Sequence, residues 1–269
     1  MHSDEADLEL LKGAAQEAGA LALGFFRKSP NSWAKAGGSP VTEADVQVDA
    51  LLRVRLLAER PNYGWLSEET ADDPARLKND TIFAVDPIDG TRGFIEGDDR
   101  WCVSLAVVRK GRPAVAALYA PARGEFYTAI GGKGAWRDDG TLLTVNNRST
   151  LSGARITGPR GWLKTDAIER LGADIVPHVP SLAYRLTLVA TARVDAAFAS
   201  PRANDWDLAA CDLLVHEAGG RLTGLDGAAL RYNQEIPRHG ALAAANRELQ
   251  PLVVGAVAKA GQEIAQRRG

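Results

Sequence analysis

In residues 86–91 (DPIDGT) of this 269-residue chain, Asp86 and Asp89 lie three positions apart. Pro87 fixes its own φ and favours an extended backbone at Asp86, so the chain turns and Asp89 is directed to the same side as Asp86. Gly90 lets a ligand approach the backbone, and a short helix that begins at Thr91 would direct free N–H groups at an anion. Acidic side chains beside an anion site are expected where divalent cations lie between them. The alternative is an Asp-Pro turn followed by an Asp-Gly turn with no ligand.

Three further acids, Asp45, Glu68 and Asp207, stand at the ends of predicted elements, and no His or Cys cluster accompanies them. Oxygen ligands alone suit Mg²⁺, which takes a few carboxylates together with substrate phosphate oxygens. Each acid also has a structural alternative. Asp45 can form a capping box with Thr42, and Glu68 can be a solvated surface acid. Asp207, like Asp205, can simply favour the dipole of its helix.

The elements that position these acids follow from the hydrophobic pattern. The apolar, β-branched run at residues 81–85 predicts a buried strand that ends at Asp86. Thr42 is a suitable N-cap for a helix that continues to about Glu59. Residues 65–67 predict a short strand before Glu68, and a helix from Asp205 should end at the glycines 219 and 220.

The remaining pattern predicts an α+β chain. An apolar stripe predicts a helix over residues 4–28, and residues 29–41, with two prolines and two glycines, predict a loop. The glycines at 131–134 lack Walker spacing and predict a turn. Polar residues 146–153 suggest a boundary between an N-terminal unit, 1–152, with most of the metal site, and a C-terminal unit, 153–269, in one compact whole. Further strands are predicted at 101–108, 113–119, 125–129, 142–145, 154–158, 195–199, 221–225 and 241–245, and further helices at 162–171, at 181–191 and from 247.

Composition limits the function. The chain is 45% hydrophobic and 25% charged with a net charge of −2, so it lacks the basic excess of a nucleic-acid binder. It shows no signal peptide and no apolar stretch long enough to span a membrane, which predicts a cytoplasmic location. Cys102 and Cys211 have no metal-ligand spacing and are predicted to be reduced and buried.

Three motifs resemble those of the inositol monophosphatase superfamily, in the expected order and spacing across nearly the whole chain. They are WLSEE at 65–69, DPIDGT at 86–91, and WDLAA at 206–210 followed by two glycines at 219 and 220. The superfamily includes inositol monophosphatases, 3′(2′),5′-bisphosphate nucleotidases, fructose-1,6-bisphosphatases and some histidinol phosphatases. The resemblance implies a layered α/β/α/β/α sandwich and a Mg²⁺-dependent phosphatase for a small phosphorylated substrate. It further implies a homodimer and inhibition by Li⁺.

The resemblance also implies the metal ligands. Glu68 and Asp86, with the backbone carbonyl of Ile88, would hold a first Mg²⁺, while Asp86, Asp89 and Asp207 would hold a second. Glu68 would also assist a third, weaker ion. Two such ions can stabilise the attacking and the leaving oxygen of an in-line displacement.

The same resemblance gives Thr91 the task of orienting the attacking water, with Asp45 as its hydrogen-bond acceptor. The backbone N–H groups of Gly90 and Thr91 would bind phosphate. The rival hypothesis from another class is a non-enzymatic, partner-binding protein that keeps the fold, since fold does not determine function.

The substrate is less constrained. Inositol monophosphatases typically carry a Glu seven residues before the Asp of the third motif, where this chain has Ser200. The stretch around Ser200 is more similar to that of some bisphosphate nucleotidases, whereas Ile88 is more similar to the inositol enzymes. Arg92, Arg185 and Arg202 could bind a second phosphate or could be solvated. We therefore expect a preference for 3′-phosphoadenosine 5′-phosphate, with inositol 1-phosphate and then histidinol phosphate as alternatives.

Overall fold

The computed structural model describes residues 2–34 and 40–267. The helices in this part of the chain are α1 (Asp4–Phe25), α2 (Glu43–Glu59), α3 (Thr91–Glu96), α4 (Arg160–Leu163), α5 (Asp166–Glu169), α6 (Leu182–Ala190), α7 (Asp205–Glu217) and α8 (Gln250–Gln266). The strands are β1 (Ser32–Ala34), β2 (Pro40–Thr42), β3 (Gly64–Ser67), β4 (Thr81–Asp89), β5 (Cys102–Arg109), β6 (Arg112–Ala120), β7 (Glu125–Ile130), β8 (Gly134–Arg137), β9 (Arg155–Thr157), β10 (Asp174–Ile175), β11 (Ala196–Ala199), β12 (Gly220–Gly224) and β13 (Leu242–Asn246).

The first sheet has the strand order β3-β4-β5-β6-β7-β8, with β3 parallel to β4 and each later pair antiparallel. The strand β4, which lies next to the edge strand β3, is buried from Ile82 to Asp89, as expected for an apolar run covered on both faces. The register shifts within β4, because Asp86 pairs with Ser104 whereas Asp89 pairs with Cys102. This bulge inserts one extra residue and redirects the side chains at the end of the strand.

Helices cover both faces of this sheet. On α1, alanines and leucines at three- and four-residue steps are buried and pack against the sheet together with α2. On the opposite face lie α6 and α7, which also pack against the second sheet, of strand order β10-β9-β11-β13-β12. The helices α4, α5 and α8 cover the outer face of that second sheet. The predicted α/β/α/β/α layering is therefore confirmed.

Local capping explains where the two helices that carry acids begin. The Thr42 side chain accepts from the backbone N–H of Ala44 at 3.2 Å and of Asp45 at 3.4 Å, which completes the N-cap of α2. Asn204 caps α7 in a capping box with Asp207. Each capping box places an acid in the first turn of its helix: Asp45 in α2 and Asp207 in α7.

Several element predictions were wrong. Part of the predicted loop at 29–41 is the hairpin of β1 and β2, while residues 35–39 lie outside the described residues. Residues 142–145 form no strand: Leu142 makes an isolated bridge to Trp136, and the backbone N–H of Val145 donates to Ala218 instead. The single helix predicted at 162–171 is divided into α4 and α5, because Thr165 turns its hydroxyl to the carbonyl of Trp162. The short strands β8 and β10 were not predicted.

The six-stranded sheet ends at Arg137, and the five-stranded sheet begins at Arg155. The division into an N-terminal unit, 1–152, and a C-terminal unit, 153–269, within one compact whole stays a prediction. Cys102 and Cys211 are free and buried, as expected. Among the described helices, none combines the length and the apolarity needed to cross a membrane.

Candidate active site

The end of β4 carries two acids of the site, and the bulge determines their directions. Asp86 is buried, and its Oδ1 accepts from the backbone N–H of Ile88 at 3.0 Å. Its second oxygen, Oδ2, is also buried and has no hydrogen-bond partner among the described residues. An unpaired buried carboxylate oxygen is costly in the absence of a cation, so this atom indicates a ligand position.

Three carboxylates from distant parts of the chain converge there. Oxygens of Glu68, Asp86 and Asp207 all lie within 4.8 Å of one another. Glu68 follows β3 and is held beside β4, because its N–H donates to the carbonyl of Val85 at 3.2 Å. Asp207 lies in the first turn of α7, and its Oδ2 accepts from the N–H of Asn204 at 2.7 Å.

Asp205, the other acid in this turn, has a structural role. Its two oxygens bond the N–H of Asn233 at 2.7 Å and the Nε2 of His239 at 2.8 Å. These bonds hold the 232–239 segment against the start of α7. Asp205 therefore bonds to residues outside the carboxylate cluster, whereas Asp207 lies within the cluster.

Asp89 is held by the N-terminus of α6. Its Oδ2 accepts from the hydroxyl of Ser181 and from the N–H of Ala183, the latter at 2.6 Å. Ser181 also caps α6, because its hydroxyl oxygen accepts from the N–H of Tyr184 at 3.0 Å. Ser181 was not predicted as a site residue. No local signal marks it, since it lies 92 positions from Asp89 in the sequence.

The electrostatics of the cluster are unfavourable for the protein alone. Burial, followed by repulsion from Glu68, Asp89 and Asp207, raises the pKa of Asp86 well above its ordinary value. Burial and repulsion likewise raise the pKa of Asp207. For Asp89, burial outweighs the bonds from α6 and raises its pKa to about 6. Converging like charges of this kind favour bound cations.

The residues present fit a hard divalent cation. The ligand atoms are carboxylate oxygens, which Mg²⁺ prefers over nitrogen or sulfur. One of these oxygens, Asp86 Oδ2, is buried without a partner among the described residues. The geometry thus offers a place for cations, although it does not determine the number of ions.

A second network joins Asp45 to the turn after β4. Asp45 Oδ2 accepts from the backbone N–H of Thr42 at 2.8 Å and from its hydroxyl at 2.6 Å, so the capping box exists. Asp45 Oδ1 lies 3.0 Å from Thr91 Oγ1, which is also 3.1 Å from the carbonyl oxygen of Ile88. The structural and the catalytic interpretations of Asp45 are therefore compatible. Burial raises the pKa of Asp45, although its hydrogen bonds to Thr42 and Thr91 oppose this rise.

The turn at Gly90 requires glycine. Gly90 has φ +99°, and a Cβ built there would lie 3.0 Å from backbone and side-chain atoms of Ser181. It precedes α3, so the N–H groups of Gly90 and Thr91 lie at the start of that helix. Such groups have no intrahelical acceptor and can bind an anion.

One further acid supports the site and was not predicted. Asp49 lies one turn after Asp45 on α2, and it is buried. It accepts from the hydroxyl of Ser67 and from that of Thr70, the latter at 2.5 Å, and so holds the two ends of the segment that contains Glu68. Its i, i+4 spacing from Asp45 is the signal that could have identified it.

The predicted specificity residues do not converge on one point. Arg185 is buried on α6, where its Nη1 donates to the carbonyl of Val179 at 3.0 Å. Burial lowers the pKa of Arg185 to about 10, while the charge of Asp89 opposes the shift. Ser200 and Arg202 line a cavity of about 890 Å³ against α8. Arg92 is exposed on α3.

Fold and site together define a layered α+β protein with a carboxylate cluster that could hold a metal ion, close to the backbone turn at the start of α3. The sequence matches the inositol monophosphatase family over residues 4–262. The chain belongs to this family, and several of its relatives are named as phosphatases.

The relatives include enzymes named for different substrates. A histidinol-phosphatase of Mycobacterium tuberculosis is 38% identical over 71% of this chain and 76% of its own length. A 3′-phosphoadenosine 5′-phosphate phosphatase of Mycobacterium bovis is 34% identical over 80% of this chain and 81% of its own. Among solved structures, an IMPase of Thermotoga maritima has a TM-score of 0.85 at 26% identity and covers 97% of this chain and all (100%) of its own.

Proposed function

We propose that this chain is a Mg²⁺-dependent phosphomonoesterase that hydrolyses a small phosphate monoester, with a preference for 3′-phosphoadenosine 5′-phosphate. The observation that carries the proposal is the cluster of Glu68, Asp86 and Asp207, with oxygens within 4.8 Å of one another. In the absence of cations this cluster would be strongly self-repelling. Family membership supplies the phosphatase class.

The residues that would hold two Mg²⁺ ions are Glu68, Asp86, Asp89, Asp207 and the carbonyl of Ile88, and Glu68 would assist a third. When bound, the ions neutralise phosphate charge and stabilise both oxygens of an in-line displacement. The bonds from Ser181 and Ala183 would keep Asp89 in place for this task. Such outer contacts orient ligands and typically change metal affinity by about 10- to 100-fold when removed.

The remaining chemistry belongs to the chain itself. The N–H groups of Gly90 and Thr91 would bind the phosphate oxygens at the start of α3. Thr91 donates its hydroxyl proton to Asp45, and its oxygen can then accept a hydrogen bond from the attacking water. A water that is held in this way loses little entropy in the transition state, which lowers the barrier.

Two features support the adenosine bisphosphate as preferred substrate. Ser200 removes the charged acceptor that would bind an inositol hydroxyl, and a relative 34% identical is named for 3′-phosphoadenosine 5′-phosphate. Histidinol phosphate is the second candidate, because a relative 38% identical is named for it. Inositol 1-phosphate is the third, in keeping with Ile88. Inhibition by Li⁺ and a homodimer extend the proposal on the family likeness alone.

The test is phosphate release from these three esters at one millimolar-range Mg²⁺ concentration. We expect release by the wild type, with the highest kcat/KM for the adenosine bisphosphate. Asp89→Asn should abolish release and stay folded, whereas the exposed control Asp80→Asn should be unaffected. Full activity in Asp89→Asn would refute the metal assignment, and no release from any ester would favour a non-enzymatic binding protein. Faster turnover of inositol 1-phosphate would refute the substrate preference.

A further inference from the structure

A cavity of about 560 Å³ lies beside α4 and shares no lining residue with the cavity at Ser200. Both apolar and cationic side chains line this cavity. The apolar residues are Leu163, Ile175, Val176 and Pro177; the ionisable ones are Arg100, Arg160, Lys164, His178 and Glu169. Neither the fold nor the proposed metal site requires this cation excess.

The cations differ in how they are held. Arg100 is clamped by Asp98, with Nε 2.8 Å from Oδ1, and its Nη1 donates to the carbonyl of His178 at 3.2 Å. Arg160 and Lys164 are exposed and form no ion pair within the described part of the chain. Glu169 is the acid that lines the cavity. Two long, unpaired cations therefore remain available to an anion.

The buried Arg185 lies next to His178, which lines the cavity. Arg185 is buried, its Nη1 is 3.4 Å from His178 Nδ1, and its Nε has no partner among the described residues. His178 Nδ1 is also 3.0 Å from the carbonyl oxygen of Gly158, so it carries the proton. Burial first, and then the charges of Arg185, Arg160 and Arg100, lower the pKa of His178 against the effect of Gly158. Three cations, Arg185, Arg160 and Arg100, therefore lie close enough to His178 to act on its pKa.

One short segment joins the cavity to Asp89 and to the turn at Gly90. His178 precedes Ser181 by three residues, a stretch that spans at most roughly 11 Å. Ser181 contacts Asp89 and lies against Gly90, and a Cβ built on Gly93 would lie 2.9 Å from Pro180. The 178–181 segment thus connects the phosphate-binding turn to the cavity. A substrate with its phosphate at the turn would have to span roughly this distance to place a second group in the cavity.

We propose that this cavity binds the second anionic group of a bisphosphorylated substrate, through Arg160 and Lys164. The assignment replaces Arg185, which is buried, and Arg202, which lines the other cavity. It rests on the proposed phosphatase function. Guanidinium and ammonium groups suit phosphate, and the apolar side chains suit the body of a nucleoside between the two phosphates.

The test compares two substrates that differ in one phosphate: 3′-phosphoadenosine 5′-phosphate and adenosine 3′-monophosphate, with Mg²⁺. Arg160→Ala and Lys164→Ala should each raise KM for the bisphosphate about tenfold, as expected for loss of a charge-assisted contact, with kcat unchanged. Values for the monophosphate should not change. Arg53→Ala, an exposed arginine on α2, is the matched control, and Arg202→Ala tests the rival cavity.

Equal losses for both substrates, unchanged values for the bisphosphate, or a selective loss in Arg202→Ala would each overturn the assignment. A wild type that hydrolyses the monophosphate as well as the bisphosphate would also overturn it, while the phosphatase function would stand. Calorimetric binding of adenosine 5′-monophosphate gives a readout without turnover. Binding should be weaker in the Arg160→Ala/Lys164→Ala double variant than in Arg53→Ala, and equal affinities would refute the site even if no ester were hydrolysed.

Discussion

The substitution Asp45→Asn separates the two roles of this side chain. Asp45 Oδ2 faces two donors on Thr42, at 2.8 and 2.6 Å, while Oδ1 faces the Thr91 hydroxyl at 3.0 Å. An asparagine side chain has one oxygen, and we expect this oxygen to face the two donors of Thr42. Its amide nitrogen then faces Thr91 as a donor. Thr91 must accept this bond and turn its proton to the carbonyl of Ile88, 3.1 Å away.

This reversal rotates the Thr91 hydroxyl and uses one of its two lone pairs, so the oxygen is no longer oriented for the attacking water, whereas the helix cap is preserved. We expect kcat to fall about 10²-fold, which corresponds to about 2.7 kcal/mol of activation free energy. KM should change little, because the phosphate contacts remain. The free energy of unfolding should fall by about 1 kcal/mol, since a neutral amide replaces the carboxylate while the bonds to Thr42 persist.

The assay is steady-state phosphate release at saturating Mg²⁺, with urea unfolding of the same preparations. Thr91→Ala should lower kcat by a similar factor. Because the two side chains act as a unit, kcat of the double variant should be no lower than kcat of the less active single variant. Thr91→Ser keeps the hydroxyl and serves as the control with near-normal kcat. Wild-type kcat in Asp45→Asn, or losses that multiply in the double variant, would refute the coupling and leave Asp45 as a helix cap alone.

Ser181→Ala removes a donor to Asp89 and should raise the Mg²⁺ concentration for half-maximal phosphate release by about tenfold; an unchanged Mg²⁺ titration would contradict the contact. Gly90→Ala should lower the free energy of unfolding by about 1–3 kcal/mol, measured by urea unfolding, because φ is +99° and Ser181 obstructs the new methyl group; wild-type stability would contradict this. Burial alone would raise the pKa of Glu125, but bonds from Arg193 and two tyrosines lower it to about 2. Since the folded pKa lies below the unfolded value near 4.5, this contribution is present above pH 4.5 and lost towards pH 2. The stability difference between wild type and Glu125→Gln should therefore shrink on acidification over this range, and a constant difference would be inconsistent with the bonding.

Much of the scaffold could be predicted from local sequence. The strand β4, the cap at Thr42 and the end of α7 each depend on neighbouring residues: an apolar β-branched run, a Thr before a helix, and a glycine pair after one. The acids of the cluster were identified for the same reason, because each belongs to a short motif at an element end.

Elements that depend on partners were predicted poorly. Residues 142–145 have the composition of a strand, yet the chain leaves the sheet there and Val145 bonds to Ala218. β8 is four residues long and exists through its pairing with β7. Composition reports what a segment can form, whereas a strand also requires a neighbouring edge with free N–H and C=O groups.

By itself, the sequence determined the family and the class of chemistry, and it pointed to the carboxylates that the structure brings together, because the family motifs place particular residues at fixed short spacings. Only the tertiary structure decided what surrounds them. It brought Ser181 to Asp89 across 92 positions and buried Arg185, while Arg160 was placed beside His178. These contacts join loops from two sheets, and their distances depend on how the layers pack rather than on any local pattern. Substrate preference is decided by such contacts, and therefore the sequence alone left several substrates open.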